Sequence, residues 1–177
     1  MHRLFVAVRP PPEIRRRLLA AMGGITGARW QTDDQLHITL RFIGEVDRHL
    51  ARDVHAALGA VYHRRFEAAV TGVGTFETRG RSELVWAGVA PLEPLRALHK
   101  KVDHALARVG IEPDRRAFHA HITLARLGRS AGPAHNFLAE AGGLSTPAFT
   151  VDSFALFESR LSPEGAVYTP VEVYALG

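Results

Sequence analysis

The sequence predicts an α+β fold: a bilobed, pseudo-twofold duplication in which two mainly antiparallel sheets face a central groove and helices lie on the outside. Three observations predict it. The tetrapeptide His-Ile-Thr-Leu occurs twice, at His37–Leu40 and His121–Leu124, 84 positions apart in a chain of 177 residues. Each copy is β-branched and apolar, as strands are, and follows a polar or basic loop. Around the copies, helix-spaced apolar residues alternate with short strand-like runs. No linker or low-complexity tract divides the chain, so residues 1–177 read as one bilobed domain, long enough to bury a substantial core.

The elements follow in order. Arg3 to Val8 reads as a buried strand, ended by Pro10-Pro11-Pro12. Glu13 to Met22 reads as a helix with proline at its start and Gly23-Gly24 at its stop. Ala28 to Gln31 reads as a short strand and Thr32-Asp33-Asp34 as a turn. Leu36 to Ile43 is the first motif strand, closed by Gly44. Asp47 to Tyr62 reads as an amphipathic helix, with Leu50, Val54, Ala57, Leu58 and Val61 on one face. Phe66 to Phe76 and Leu84 to Val89 form a hairpin through the basic tip Arg79-Gly80-Arg81-Ser82. Leu92 to Val109 carries the strongest helical repeat, through Leu95, Leu98, Val102, Leu106 and Val109, and Gly110 ends it. A polar loop, Glu112 to Arg116, leads into the second motif strand, Phe118 to Leu127. Ala134 to Ala141 reads as a short helix. Phe149 to Ser159 and Val167 to Leu176 read as closing strands.

Composition narrows the function classes. The formal charge is +4, and 20 of the 22 basic residues are arginine. Guanidinium forks match phosphate oxygens, which suits a polyanion ligand, although arginine also serves as a plain solvated surface residue. There is no apolar run near the length of a membrane span. Met1 to Val8 is too short and strand-like for a signal peptide. The chain has no cysteine, hence no disulfide or thiolate metal site, and a cytoplasmic protein is expected.

The repeated motif carries the chemistry. Residues i and i+2 of a strand share a face, so His37 and Thr39 point one way while Ile38 and Leu40 enter the core. His121 and Thr123 repeat this against Ile122 and Leu124. Two facing halves would set an imidazole on each side of one cavity, with hydroxyls at its floor. Imidazoles titrate near neutral pH and suit general acid–base work on both sides of a phosphorus centre. Hydroxyls can donate to phosphoryl oxygens where charge builds in the transition state. His119 and His121 form a His-x-His pair that could ligate a metal, but no third ligand stands at a characteristic spacing. Neither a metal nor a cofactor is expected.

Five stretches carry a family resemblance: Arg3-Leu4-Phe5-Val6-Ala7-Val8; Trp30 followed by Leu36 to Glu45; Phe118 to Arg126; Leu156-Phe157-Glu158-Ser159; and Gly165-Ala166-Val167-Tyr168. Together they resemble the two-histidine phosphoesterases, and within them the bacterial and archaeal RNA 2',3'-cyclic phosphodiesterases, historically named 2'-5' RNA ligases. The resemblance spans nearly the whole chain. It implies metal-free hydrolysis of RNA 2',3'-cyclic phosphate ends to 2'-phosphates, with weak, reversible, ATP-independent 2'-5' joining. It implies His37 and His121 as the catalytic pair, His121 the base and His37 the acid. It implies Thr39 and Thr123 as phosphate ligands and Arg126 as a third. The family often has proline before its second histidine, where this chain has Ala120. By alternation Arg126 points away from His121, and it reaches the cavity only where the strand bulges or ends near Ala125.

The expected partner is RNA ending in a 2',3'-cyclic phosphate, met by a monomer. Rival readings are a phosphodiesterase of cyclic mononucleotides or 2'-5' oligonucleotides, and a non-catalytic module that binds RNA ends through its arginines.

Overall fold

A computed structural model describes residues 1–177. Nine strands and four helices alternate: β1 (His2–Val8), α1 (Pro12–Ala21), β2 (Arg29–Trp30), β3 (Ile38–Val46), α2 (Arg48–Gly59), β4 (Phe66–Thr78), β5 (Arg81–Ala90), α3 (Leu92–Ala107), β6 (His121–Arg126), α4 (His135–Ala141), β7 (Phe149–Val151), β8 (Ser153–Ser162) and β9 (Gly165–Ala175). The strands are hydrogen-bonded in the order β7-β4-β5-β6-β3-β1-β8-β9, with β2 added on β6. The pairings are antiparallel.

Where the duplication predicts two separate sheets, the strands form one continuous nine-stranded sheet whose two halves carry one motif each. They meet through one backbone pair, Ile38 opposite Ile122. Those two residues are related by the 84-residue repeat, so the pseudo-twofold axis passes between them.

The helices cover one face of the sheet. Ile14 and Leu18 of α1, Val54 and Leu58 of α2, and Leu95, Leu98, Val102 and Leu106 of α3 join a 33-residue buried cluster with the inward strand residues. Each such side chain contributes about 1.5–3 kcal/mol on burial. β1 is buried on both faces: Leu4, Val6 and Val8 enter that cluster, while Phe5 and Ala7 pack on the other side with Ala155, Phe157 and Tyr168. This is why it reads as a continuous apolar run. No helix is long and apolar enough to cross a membrane.

Several boundaries differ from the sequence reading; α2 and α3, for example, end at Gly59 and Ala107, before Tyr62 and Val109. The motif strands begin later, at Ile38 and His121. The strand expected from Phe149 to Ser159 divides at Asp152: β7 pairs with β4, and β8 crosses to β1 and β9 in the other half. This crossing ties the halves together. The hairpin tip is tighter than expected, because Arg79 (φ 54°) and Gly80 (φ 74°) make the whole turn, as a two-residue hairpin with positive φ at both central positions does. The turn expected at Thr32–Asp34 is a 3₁₀ turn over Asp33–Gln35. The Thr32 N–H donates to Gln35 Oε1 at 3.0 Å, and Gln35 Nε2 donates to the Ala166 carbonyl of β9 at 2.8 Å.

Candidate active site

Alternation around the motifs is as the sequence predicts. Ile38, Leu40, Ile122 and Leu124 are at most 2% exposed, while His37, Thr39, His121 and Thr123 are half-buried on the opposite face. In the antiparallel register about Ile38 and Ile122, the flanking positions set His37 opposite Thr123 and Thr39 opposite His121. The four motif side chains therefore surround the pseudo-twofold axis.

Both imidazoles are anchored in the same way. His37 Nδ1 lies 2.8 Å from the carbonyl of Gln35, and His121 Nδ1 lies 2.6 Å from that of His119. A carbonyl only accepts, so each Nδ1 carries the proton and each Nε2 is left unprotonated, as an acceptor. The Thr39 hydroxyl donates to His37 Nε2 at 2.9 Å. Aromatic rings complete the seats. Phe5 lies 5.0 Å from the His37 ring and Tyr168 meets it edge-on at 5.3 Å; Phe76 meets His121 edge-on at 5.0 Å.

These surroundings disfavour imidazolium. Burial pushes His37 down to about 4, against the Gln35 carbonyl, and the charges of His121, Arg126 and Arg9 act in the same direction as burial. Burial also lowers His121, opposed by the His119 carbonyl and assisted by the His119 ring. Both rings are thus held neutral near pH 7, and a phosphate beside them would favour their protonation.

Arg126 reaches the groove through a bulge. In β6, Thr123 pairs with Trp86 but Ala125 with Val85, leaving Leu124 as an extra residue. Leu124 and Ala125 are both buried, and Arg126 emerges on the face of Thr123. This is the irregularity that strand alternation required. The first motif has the same bulge: Thr39 pairs with Ala7 and Arg41 with Val6, leaving Leu40 extra. There Arg41 turns inward and Phe42 emerges in the position equivalent to Arg126. The Arg3 guanidinium lies 5.4 Å from the Phe42 ring centre.

A cavity of about 620 Å³ brings together His37, Thr39, Thr123 and Arg126, with Arg3 and Tyr168 on its walls. His121 lines an adjoining space of about 480 Å³ with Phe76 and His119, and Thr39 and Phe42 border both spaces. A substrate phosphorus at the Thr39 boundary would therefore have one imidazole on either side. No group of three or more His, Asp or Glu side chains is arranged to hold a metal; His119 is exposed and serves His121 through its carbonyl.

Sequence reasoning missed the supporting groups: the Gln35 and His119 carbonyls, the Phe5, Phe76 and Tyr168 rings, and the Arg41 anchor. Arg41 is buried, bonded through Nε to Asp103 at 2.9 Å and reaching the carbonyls of Phe42 and Glu112. Its signal was the arginine that immediately follows Leu40 where the second copy has alanine.

Known proteins share this arrangement of elements. An Aeropyrum pernix protein named RNA 2',3'-cyclic phosphodiesterase is 34% identical over 148 residues, 81% of this chain and 84% of the relative. A Thermus thermophilus protein of the same name is 36% identical over 186 residues, 98% of this chain and 90% of the relative. The crystal structure of Escherichia coli LigT complexed with 3'-AMP superposes with a TM-score of 0.79 at 28% identity, covering 99% of this chain and 98% of that one. The model of one family matches residues 9–162, and by that match the chain belongs to the 2'-5' RNA ligase superfamily.

Proposed function

We propose that this protein hydrolyses RNA 2',3'-cyclic phosphate ends to 2'-phosphomonoesters by paired histidine acid–base catalysis. The observation that carries the reading is the matched anchoring of His37 and His121 about the Ile38–Ile122 axis, each with Nδ1 tied to a backbone carbonyl and Nε2 left as an acceptor. Relatives named for this activity support it. In the step, a water oxygen attacks phosphorus and the bond to O3' breaks. One imidazole takes the proton from water and the other gives a proton to O3'. Thr39, Thr123 and Arg126 hold the non-bridging oxygens as charge builds there. Ring strain in the cyclic ester lets positioning supply much of the acceleration. Weak 2'-5' joining is the same step with a 5'-hydroxyl of a second RNA end in place of water: its oxygen attacks phosphorus, the bond to O3' breaks, and a 2'-5' diester remains.

The resemblance assigns His121 as the base and His37 as the acid, and the near-twofold arrangement about Ile38 and Ile122 gives either ring the geometry for either part. Burial depresses both imidazoles, so whichever serves as acid must be raised by the bound anion. An aryl phosphodiester, whose leaving group needs no proton, separates the roles: with His37 as the acid, His37→Ala loses less activity on it than His121→Ala does. The reverse ranking exchanges the two parts.

The protein is proposed to act as one unit and as a monomer, since a single copy brings both motifs to the groove. A cytoplasmic setting accords with the absence of cysteine. The test is hydrolysis of RNA ending in a 2',3'-cyclic phosphate by wild type, His37→Ala and His121→Ala, with adenosine 2',3'-cyclic phosphate and a 2'-5' dinucleotide compared. Each variant is expected to lose at least about a hundredfold in turnover while remaining folded. Wild-type turnover in either variant refutes the mechanism, and tight end binding without product identifies a binding module instead.

A further inference from the structure

Beside the reacting centre stands a second basic element. β2 is only two residues long, and it pairs with β6 just past the Leu124 bulge, Arg29 opposite Arg126 and Trp30 opposite Ala125. Like charges directly opposite on neighbouring strands repel, so this pairing needs a reason. Neither Arg29 nor Arg126 reaches a carboxylate that would offset the repulsion, as six other arginines of the chain do.

The two guanidinium groups also share two spaces. Both line the 620 Å³ cavity that holds His37, Thr39 and Thr123. Both line a further space of about 560 Å³ with Gly27, Gly128 and Ser130. Glu83 also borders that space, beyond ion-pair reach of either arginine. The groove therefore continues past the reacting centre, over the arginine pair, into a pocket bordered by Gly128, which has open space beside its Cα. From Thr123 to Arg126 is three strand residues, roughly 10 Å at most, and a long side chain can reach back across part of that distance. The adjacent phosphate of an extended nucleotide chain falls in this range.

We propose that Arg29, set beside Arg126, holds the phosphate on the 5' side of the nucleotide that ends in the cyclic ester, and so selects polynucleotide ends over cyclic mononucleotides. This rests on the phosphodiesterase reading and adds to it the residue that tells a polynucleotide end from a cyclic mononucleotide. A nucleoside cyclic phosphate without a 5'-phosphate occupies only the reacting centre. A 5'-phosphorylated one also meets Arg29, and a longer chain continues toward Gly27 and Gly128.

The experiment compares wild type with Arg29→Ala and Arg29→Lys on three substrates: adenosine 2',3'-cyclic phosphate, the same compound bearing a 5'-phosphate, and an RNA octamer ending in a 2',3'-cyclic phosphate. In wild type, kcat/KM rises when the 5'-phosphate is added. Arg29→Ala is expected to reduce that preference about tenfold or more, chiefly through KM, and Arg29→Lys to reduce it less. For binding of an octamer ending in a 2'-phosphate, the slope of log affinity against log salt becomes shallower by about 0.7 in Arg29→Ala. Equal losses on all three substrates, or an unchanged preference for the 5'-phosphate, overturn the proposal. The binding measurement needs no turnover. If wild type cleaves none of the three, the phosphodiesterase reading fails, while the salt slope still decides whether Arg29 meets a phosphate.

Discussion

Ile38 faces Ile122 across the one backbone pair that joins β3 to β6, and each is the counterpart of the other in the 84-residue repeat. Two copies of one short strand thus meet at their own symmetry axis. The apolar partners close the core beneath that axis, and the polar residues on either side are turned together above it. A twofold arrangement suits a reaction that removes a proton on one side of phosphorus and delivers one on the other.

Thr39 tests the link between that geometry and the chemistry. Its hydroxyl donates to His37 Nε2 and borders both spaces of the groove. Thr39→Val keeps the shape and removes the donor, and is expected to lower kcat by about 10²–10³. Thr39→Ser restores the hydroxyl and most of the rate. The valine variant also loses a hydrogen bond to neutral His37, so the His37 pKa rises, and a ¹H–¹⁵N NMR titration of the ring nitrogens follows that shift. Equal rates for the serine and valine variants would remove the hydroxyl from the mechanism.

The depressed histidines also predict how stability follows pH. Burial penalises imidazolium, so the unfolded chain takes up the proton first. Above pH about 6.5 neither state carries it and stability is unaffected. As pH falls from about 6.5 toward 4, the unfolded state is protonated at His37 while the native state is not, and stability declines; below about 4 the loss levels off. The full His37 contribution is on the order of 3 kcal/mol, and His121 adds in the same direction. The carboxylates with lowered values, Asp33, Asp47, Asp114 and Glu172, lose their stabilisation at the acid end of this range and below. Urea unfolding between pH 4.5 and 6.5 should therefore show a slope that becomes shallower in His37→Gln.

Much of this was legible in the sequence because strand parity is a strong constraint. One buried residue on each side of Thr39, Ile38 and Leu40, determines which way His37 points, and Ile122 with Leu124 does the same for His121. The bulges were harder to read. In the second copy the consecutive apolar residues Leu124 and Ala125 mark the change of parity, but in the first the inward residue is Arg41, whose charge disguises a buried position. The break at Asp152 left only a faint mark, the consecutive polar residues Asp152 and Ser153 in a run from Phe149 to Phe157 that has no glycine or proline. Only the pairing partners, β4 before Asp152 and β1 after it, divide them. The Gln35 and His119 carbonyls were beyond sequence reasoning, since every residue has a carbonyl and only the fold decides which one meets an imidazole.

Arg41 and Asp103 form the anchor behind the first bulge. They are 7% and 16% exposed at the side chain, and Asp103 also accepts weakly from the Asp114 N–H at 3.4 Å. Asp103→Ala leaves a buried guanidinium without its counter-charge and is expected to cost about 3–5 kcal/mol in urea unfolding. Asp103→Asn keeps an acceptor and costs less. Because Arg41 also holds the Glu112 carbonyl, the alanine variant should speed amide exchange in residues 112–118, the approach to His121. A local loss there at constant exchange in α1 distinguishes this from general destabilisation.

Gly88 gives the most direct test of how the second motif is seated. It lies on β5 opposite His121, and it is buried. A Cβ at this position would sit 2.5 Å from the carbonyl oxygen of Thr71, a backbone atom in the irregular stretch of β4 between Val70 and Val73. That stretch is itself fastened, since Gly72 N donates to the Leu144 carbonyl at 2.7 Å. Neither strand can yield freely, so Gly88→Ala must push β5 away from β4 and toward β6. The overpacking is expected to cost about 1–3 kcal/mol, lowering Tm by roughly 2–4 °C per kcal/mol for a chain of this size. Turnover well below the new Tm should fall as well, because the displaced pair carries His121. Gly59→Ala is the matched control: its Cβ meets nothing within 4 Å at the end of α2, and helix propensity predicts unchanged or raised Tm with unchanged turnover. A Gly88→Ala protein with wild-type Tm and rate would show that the contact with Thr71 does not set the position of His121.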